Sequence, residues 1–270
     1  MAEKARRGAR AAPGLGLSLA CRVLVFLLGW QVACAPAMAQ DGARPGQSCE
    51  APAESLAAPA PLPRVAAALK KSEKLNILII GSPIGLARSQ SKSYPVALES
   101  LLERALTGVD VVIVNRPVSG EIVATAAERM RTEVALARPD LLIWQVGAND
   151  ALQNVSPVEY EEHLREGVRW AKENGLDVLL VGFEANPWLH EDREAEAIRA
   201  ATLRVAQAEN VLYLRRYEAM QFAARARGRA EQGDRPFSAD VGYDCLAEQV
   251  AQALVANMVL RRTRPGVVDP

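Results

Sequence analysis

The clearest indication of the fold is the stretch Leu141-Leu-Ile-Trp-Gln-Val-Gly-Ala-Asn-Asp150. In this stretch a short apolar run is followed by glycine and then by polar side chains. A short, continuous apolar run that ends at a turn residue is typical of a buried parallel strand. Ligands of parallel sheets bind beyond the carboxyl ends of such strands. The polar residues that follow Gly147 are therefore expected at a functional site.

Four further apolar runs have the same form and occupy residues 75–81, 110–115, 176–182 and 211–214. Helical patterns separate them, with apolar residues repeating every four positions in Ile122-Ala126-Met130-Val134 and in Leu246-Val250-Leu254-Met258. Strands that alternate with helices in this way form a parallel sheet covered on both faces. We therefore predict an α/β fold, a three-layer α/β/α flavodoxin-like sandwich with a five-stranded parallel sheet.

One helix has signals at both ends. Ser156-Pro157-Val158-Glu159 combines a capping box with proline at the first helical position, and Gly175 stands where a helix would end. The sequence therefore predicts a helix that begins at residue 156 or 157 and ends before Gly175.

The first 39 residues have the order of a secretory signal peptide. Basic residues precede an apolar run at 23–34, and Ala37-Met38-Ala39 is a small-residue cleavage pattern before Gln40. The alternative is an uncleaved anchor, although the run is short for a membrane span, which needs about 20 residues. We therefore expect a periplasmic or secreted protein with no stable membrane span after signal cleavage.

Three further segments complete the predicted organisation. Residues 40–65 are rich in proline and alanine without any period, which predicts an extended linker or a strap over the domain. The regular patterns place one domain at 66–262, and residues 263–270 form a tail. No internal repeat and no second domain can be discerned.

The cysteines agree with export. Cys21 and Cys34 would leave with the signal peptide, so the mature chain keeps Cys49 and Cys245. Two thiols in an oxidising compartment favour a disulfide, and two unpaired buried thiols are the alternative. We predict the bridge, which would tie the N-terminal extension to the last helix.

Composition argues against several kinds of partner. Lys plus Arg and Asp plus Glu both total 32, and no basic block follows the leader, so nucleic acid is not expected. No His pair, Cys pair or carboxylate cluster has metal-ligand spacing, so no metal is predicted. The loop after the first strand has neither a G-x-G-x-x-G nor a Walker pattern, and no cofactor is predicted.

Two blocks at the strand ends resemble motifs of the SGNH (GDSL-type) hydrolases, and the resemblance extends over about residues 66–262. Gly147-Ala148-Asn149-Asp150 looks like the G-x-N-D motif of that family, and the segment 115–120 places Gly120 where the family has its glycine. The resemblance implies that Asn149 and Gly120 donate hydrogen bonds to an oxyanion, with Asp150 a further polar contact in the cleft. Such donors are commonly the largest catalytic contribution.

The nucleophile block departs from the family. The family reads G-D-S or G-S-S after its first strand, with the third residue as nucleophile, whereas this chain reads Gly81-Ser82-Pro83. Proline has neither a hydroxyl to attack an ester nor a backbone N–H to act as the third oxyanion donor. Ser82 is the alternative nucleophile, provided that the turn is shifted by one position.

The base block departs as well. The family places D-x-x-H before its last helix, and here Asp234-Arg235-Pro236-Phe237 retains the Asp but has Phe237 in the His position. A second register, Asp240-Val-Gly-Tyr243, offers only a tyrosine, which is no base near neutral pH. Of the two histidines, His163 is expected on a helix surface or between helices. His190 lies at the correct end of the sheet, where it is either an ordinary loop residue or a substitute base.

The sequence therefore favours a pseudoenzyme. A Ser–His pair is what makes a hydroxyl nucleophilic, and both positions are substituted here. We expect an exported protein that binds a small-molecule acyl ester or a glycan in the family cleft and hydrolyses it poorly. The alternative is an active serine esterase that uses Ser82 with His190 or Asp234 as the displaced base.

Overall fold

The strands form one sheet. The computed structural model of the chain describes residues 57–58, 60–71, 74–81, 94–183, 193–227 and 239–262. Its strands are β1 (Ala57–Ala58), β2 (Lys74–Gly81), β3 (Asp110–Pro117), β4 (Leu141–Gln145), β5 (Asp177–Val181) and β6 (Leu212–Leu214). The sheet order is β1-β6-β5-β4-β2-β3.

Strands β2 to β6 are mutually parallel, which confirms the predicted five-stranded parallel sheet. The sixth strand, β1, was not predicted. It pairs antiparallel with β6 at the sheet edge, with Ala57 opposite Leu214 and Ala58 opposite Tyr213. Part of the segment 40–65 thus extends the sheet.

Helices cover both faces of the sheet. In the described part of the chain they are α1 (Pro63–Lys71), α2 (Tyr94–Ala105), α3 (Val123–Ala137), α4 (Ala148–Leu152), α5 (Pro157–Glu173), α6 (Arg193–Ala208), α7 (Arg216–Arg227) and α8 (Ala239–Arg262). Helices α3, α5 and α6 enclose one apolar core, and α1, α2 and α8 enclose the other. The α/β/α sandwich is therefore confirmed.

Strand β4 separates the two cores by alternation. Leu142 and Trp144 face the α3–α5–α6 side, and Leu141 and Ile143 face the other side, all four with no exposed surface. Each such side chain stabilises the fold by roughly 1.5–3 kcal/mol through burial. Trp144 also requires a glycine on α5, because a Cβ on Gly167 would lie 2.6 Å from the indole ring.

The predicted helix at residues 156–175 is present as α5, but its capping box does not form. Ser156 is the N-cap residue, yet its side chain makes no capping hydrogen bond, and Pro157 begins the helix. At the other end Gly175 has φ +77°, the left-handed conformation that commonly follows a helix. Proline and glycine therefore set the ends of α5, without help from the serine side chain.

The predicted export features lie largely outside the described residues. These include the signal peptide 1–39 and Cys49. Cys245 is buried in α8 and is disulfide-bonded, with its partner outside the described part of the chain. The pairing of Cys49 with Cys245 thus stays a prediction. Within the described ranges, no helix is long and apolar enough to cross a membrane.

Candidate functional site

The carboxyl ends of three adjacent strands define the candidate site. Strand β2 lies between β3 and β4, so Gly81 is opposite Pro117 on one side and Gln145 on the other. The amide of Val118 donates to the carbonyl oxygen of Gly81 at 3.0 Å, which holds the turn after β3 against the end of β2. The turn that carries Gly120 therefore begins beside the last residue of β2.

Gly81 itself is fixed by close packing. Its φ is +101°, and a Cβ at this position would lie 2.0 Å from the carbonyl oxygen of Gln145. Only glycine fits such a position, because any side chain would collide with the backbone of β4. The end of β2, directly before Ser82, is thus determined by the main chain of the neighbouring strand.

Asn149 is the second residue of α4, and Gly147, which precedes this helix, has a left-handed backbone conformation. Nδ2 of Asn149 donates a hydrogen bond to the carbonyl oxygen of Glu121 at 2.8 Å, and the Asn149 side chain is half-buried. A carboxamide nitrogen carries two hydrogens. The bond to Glu121 therefore fixes the direction of the second hydrogen, which remains a candidate donor to a ligand.

Gly120 is held from the same side. Its φ is +75°, it is exposed, and no atom lies within 4 Å of the position that a Cβ would take. Gln153, which follows α4, donates from Nε2 to the carbonyl oxygen of Gly120 at 2.9 Å. The structure thus brings Gly120 and Asn149 together through α4, while their predicted role as oxyanion donors stays a prediction.

A bidentate ion pair connects the turn that contains Gly120 to α3. Nε and one terminal nitrogen of Arg129 lie 2.7 and 2.8 Å from the two carboxylate oxygens of Glu121. Arg129 also donates to the carbonyl oxygen of Arg116 at 3.0 Å and lies 3.3 Å from Glu133. These hydrogen bonds to Glu121 raise the pKa of Arg129 further. The turn therefore has little freedom to move away from Asn149.

Glu121, Arg129 and Gln153 were not identified from the sequence. Glu121 lies in the turn before α3, and Arg129 lies eight positions later on that helix. The pair therefore lacks the i, i+4 spacing of an ion pair within one helix. Gln153 reaches Gly120 across 33 positions. Only the adjacency of Glu121 to Gly120 was a possible signal.

The predicted role of Asp150 as a polar contact in the cleft stays a prediction, and the residue lines the crevice beside Asn149. Its side chain is buried, and Oδ1 accepts a hydrogen bond from the amide of Val123 at 3.0 Å. Val123 begins α3, whose N-cap residue Ile122 provides no side-chain cap. Burial raises the pKa of Asp150 from 3.8 to about 6, and hydrogen bonds from backbone amides oppose this shift. Asp150 therefore caps a helix of the scaffold.

The described residues around Asn149 line a narrow crevice between Gly81, Glu121 and Gln145 that has no room for a water molecule. Its floor is partly polar, because Gln145 is buried at the end of β4 on the same face as Tyr94. Burial raises the pKa of Tyr94 well above its usual range, while Gln145 and Arg216 oppose that shift.

Several predicted site residues lie outside the described ranges, namely Ser82, Pro83, Asp234, Phe237 and His190. Their arrangement therefore stays a prediction. His163 is described and lies on α5, partly exposed, with its two ring nitrogens 3.9 Å from Glu159 and from Glu166. This is the surface position that its sequence context suggested.

Comparisons with known proteins identify the family. Residues 48–260 match the non-GDSL lipase-like family. The chain belongs to this family, and the predicted relationship to the SGNH-type hydrolases is confirmed.

Two relatives of known sequence are esterases by name. An arylesterase of Vibrio mimicus is 29% identical over 124 residues, which cover 46% of this chain and 60% of the relative. Esterase TesA of Pseudomonas aeruginosa is 28% identical over 114 residues, which cover 42% of this chain and 56% of the relative. The chain thus matches less than two thirds of the length of either relative.

Solved structures share the fold. TesA superimposes with a TM-score of 0.50 at 25% identity, covering 69% of this chain and 97% of TesA. A two-domain esterase active on acetylated mannans gives 0.60 at 19% identity, covering 81% and 60%. Axe2, an acetylxylan esterase from Geobacillus stearothermophilus, gives 0.53 at 21% identity, covering 67% and 94%. At these identities the last two likenesses show the fold alone.

Proposed function

We propose that this protein is an exported, catalytically impaired member of the SGNH-type hydrolases that binds the acyl ester of a small molecule or glycan. The carbonyl oxygen of the ester would accept hydrogen bonds from the amide of Gly120 and from Nδ2 of Asn149. The observation that carries the proposal is the pair of bonds that hold these two donors together, Asn149 to Glu121 and Gln153 to Gly120.

Donors that are fixed before the ligand arrives are effective, because no free energy is spent on orienting them. The turn of Gly120 is held by the Arg129–Glu121 pair, and Asn149 lies in α4, which packs against α6. The crevice beside Asn149 has no room for a water-sized group between the described residues, so the proposal places the ester carbonyl at its mouth. Larger parts of a ligand would extend from it along the carboxyl edge of the sheet.

Impaired catalysis is proposed from the sequence. Pro83 stands at the family's nucleophile position and Phe237 at its base position. Neither side chain can take part in proton transfer, so nucleophilic attack through a Ser–His pair is absent at these positions. Ester binding by Gly120 and Asn149 does not need either group.

An acylated glycan is the ligand class that the structural neighbours suggest. Two of them are described as active on acetylated mannans and on acetylxylan. We therefore propose an O-acetylated oligosaccharide as the first ligand to test, with a simple acyl ester as the second.

The experiment is calorimetric titration of the purified protein with acetylated xylotriose and with unacetylated xylotriose. We expect tighter binding of the acetylated sugar, and we expect Asn149→Ala to reduce that preference about fivefold, since one net hydrogen bond is lost. Asn174→Ala, an exposed asparagine at the end of α5, is the matched control. Equal affinity for both sugars, and for ethyl butyrate against butanol, would contradict an ester-binding site.

An active esterase is the second candidate, favoured by the names of the relatives of known sequence. In that case Ser82 would attack the ester, assisted by His190 or Asp234. Sustained release of acetate from the acetylated sugar, lost in Ser82→Ala, would establish this candidate and exclude catalytic impairment.

Export to the periplasm or the cell exterior is part of the proposal. It is supported by the leader-like residues 1–39 and by the disulfide at Cys245, because disulfides persist mainly in oxidising compartments. Mass spectrometry of the protein recovered from the periplasm or the medium should show an N-terminus at Gln40. Recovery of the intact chain from the cytoplasm, with free thiols, would contradict this part.

A further inference from the structure

A second concave surface opens on the face of the sheet that carries α1, α2 and α8. It encloses about 640 Å³ between α1, the residues that follow α2, and the last turns of α8. Its apolar wall is formed by Leu62, Leu69, Leu106, Val109, Val255 and Met258. We call this surface the amino-edge groove.

The amino-edge groove is remote from the candidate site. Val109 lines it and immediately precedes β3, whereas Gly120 lies three residues beyond the end of that strand. Strand β3 has 8 residues. At a rise of about 3.3 Å per residue, the groove and the candidate site are roughly 25 Å apart, at opposite ends of the sheet.

The groove has a firm apolar base. Leu69, Leu106, Val109 and Met258 each pack one side against the core cluster beneath them and leave the other side partly exposed. A site of about 300–1,000 Å³ that is mainly apolar with a few polar groups is typical for a small molecule. The amino-edge groove meets both conditions.

Small residues keep the groove open. Ala66 on α1 and Ala105 at the end of α2 line it, and both are exposed. A larger side chain at either position would project into the space that a ligand needs. These two alanines therefore provide a direct way to fill the groove from opposite walls.

The charge that the described residues contribute to the groove is positive. Lys70 is the one charged residue in the lining, and no acidic side chain contributes to it among the described residues. Thr107 adds an uncharged hydroxyl. Asn257 is buried, and its Nδ2 donates to the carbonyl oxygen of Ala60, which uses one of its hydrogens within the protein. An apolar groove with one cation complements an aliphatic chain that ends in one negative charge.

We propose that the amino-edge groove binds a long-chain aliphatic carboxylate, with its chain along the apolar wall and its carboxylate beside Lys70. Burial of the chain would provide most of the affinity, at about 0.8 kcal/mol per buried CH₂ group. The ion pair with exposed Lys70 would contribute less and would set the orientation. This proposal does not depend on the ester-binding function proposed for Gly120 and Asn149.

The test is calorimetric titration of the purified protein with sodium dodecanoate below its micelle-forming concentration. We expect saturable binding of one molecule per chain. Ala66→Leu and Ala105→Leu should each weaken it at least about tenfold by filling the groove, and Lys70→Glu about fivefold. Lys71→Glu is the matched control, because Lys71 is exposed on the same helix but does not line the groove.

Four outcomes would overturn the proposal. These are no saturable binding of dodecanoate, binding unaffected by both leucine variants, equally tight binding of dodecyltrimethylammonium, or a dimer whose contact the leucine variants abolish. Asn149→Ala separates the two sites, since it should leave dodecanoate binding unchanged. Loss of dodecanoate binding in Asn149→Ala would place the aliphatic chain of the ligand at the candidate site and would also contradict the proposal.

Discussion

The carboxylate of Asp150 accepts a hydrogen bond from the amide of Val123, 3.0 Å away and 27 positions earlier in the chain. The bond joins the G-x-N-D block to the first residue of α3. It therefore fixes the helix that carries Arg129 relative to the turn that carries Asn149. Asp150 thereby holds two parts of the site in register.

Replacing Asp150 with alanine should destabilise the protein. The buried amide of Val123 would lose its acceptor, which costs about 1–3 kcal/mol. Urea denaturation should show this loss in the free energy of unfolding. Asp110→Ala is the control, because Asp110 is exposed and lies 3.8 Å from Lys74, and its loss should change the stability by less than about 0.5 kcal/mol. Unchanged stability in Asp150→Ala would contradict the capping role.

The raised pKa of Asp177 predicts that the free energy of unfolding depends on pH in an unusual way. Its Oδ2 accepts from the amide of Val65 at 2.9 Å, and burial raises its pKa from 3.8 to about 6. Between about pH 4 and pH 6 the folded chain therefore holds a proton that the unfolded chain has released. By linkage, this residue's contribution to the free energy of unfolding rises as the pH falls through that window and is lost as the pH rises.

Comparison with Asp177→Asn isolates the effect from other carboxylates. The free energy of unfolding of the wild-type protein, relative to that of the variant, should increase by about 2 kcal/mol between pH 6.5 and pH 4.5. Urea denaturation at the two pH values measures this difference. A difference that is constant with pH, or that has the opposite sign, would show that the pKa of Asp177 is not raised.

Two glycines at the candidate site should respond very differently to alanine. In Gly81→Ala the new Cβ would lie 2.0 Å from a backbone oxygen of β4, so the sheet must distort. We expect the free energy of unfolding to fall by more than about 3 kcal/mol. In Gly120→Ala there is no neighbour within 4 Å, and only the left-handed backbone is penalised, by about 1–2 kcal/mol. Thermal or urea unfolding compares them, and equal losses would contradict the close packing at Gly81.

The Arg129–Glu121 pair should contribute more to the free energy of unfolding than surface ion pairs do. The Glu121 side chain is 4% exposed, so Arg129→Ala would leave a nearly buried carboxylate without its partner, at a cost of roughly 3 kcal/mol. Arg204→Ala removes a partner of Glu161 at a more exposed position and should cost less than about 1 kcal/mol. Similar losses in the two variants, measured by urea denaturation, would mean that the pair does not fix the turn.

The sequence predicts the five parallel strands because each is a continuous apolar run, even in the edge strand β3, where most residues are partly buried or exposed. It does not predict β1, because Ala57 and Ala58 carry no strand pattern and depend on pairing with β6. It also does not predict α1, whose residues 63–71 begin within the proline-rich segment. Structure that depends on a distant partner is thus absent from local patterns.

The same reason limits prediction of the site. Gly120 and Asn149 could be selected because their motifs resemble those of a known family. The bonds that hold them come from Glu121 and Gln153, whose roles depend on how α4 packs against the turn. The motif also does not show that the Asp150 side chain is buried and accepts a hydrogen bond from the amide of Val123.

Labelling of the purified protein with a fluorophosphonate probe tests whether its ester-binding site lacks a working nucleophile. Adducts are mapped by mass spectrometry in the wild-type protein and in Ser82→Ala, with an active esterase of the same family as the positive control. We predict no adduct on this chain while the control is fully labelled. An adduct on Ser82 that disappears in Ser82→Ala would contradict catalytic impairment and make the protein an active serine esterase.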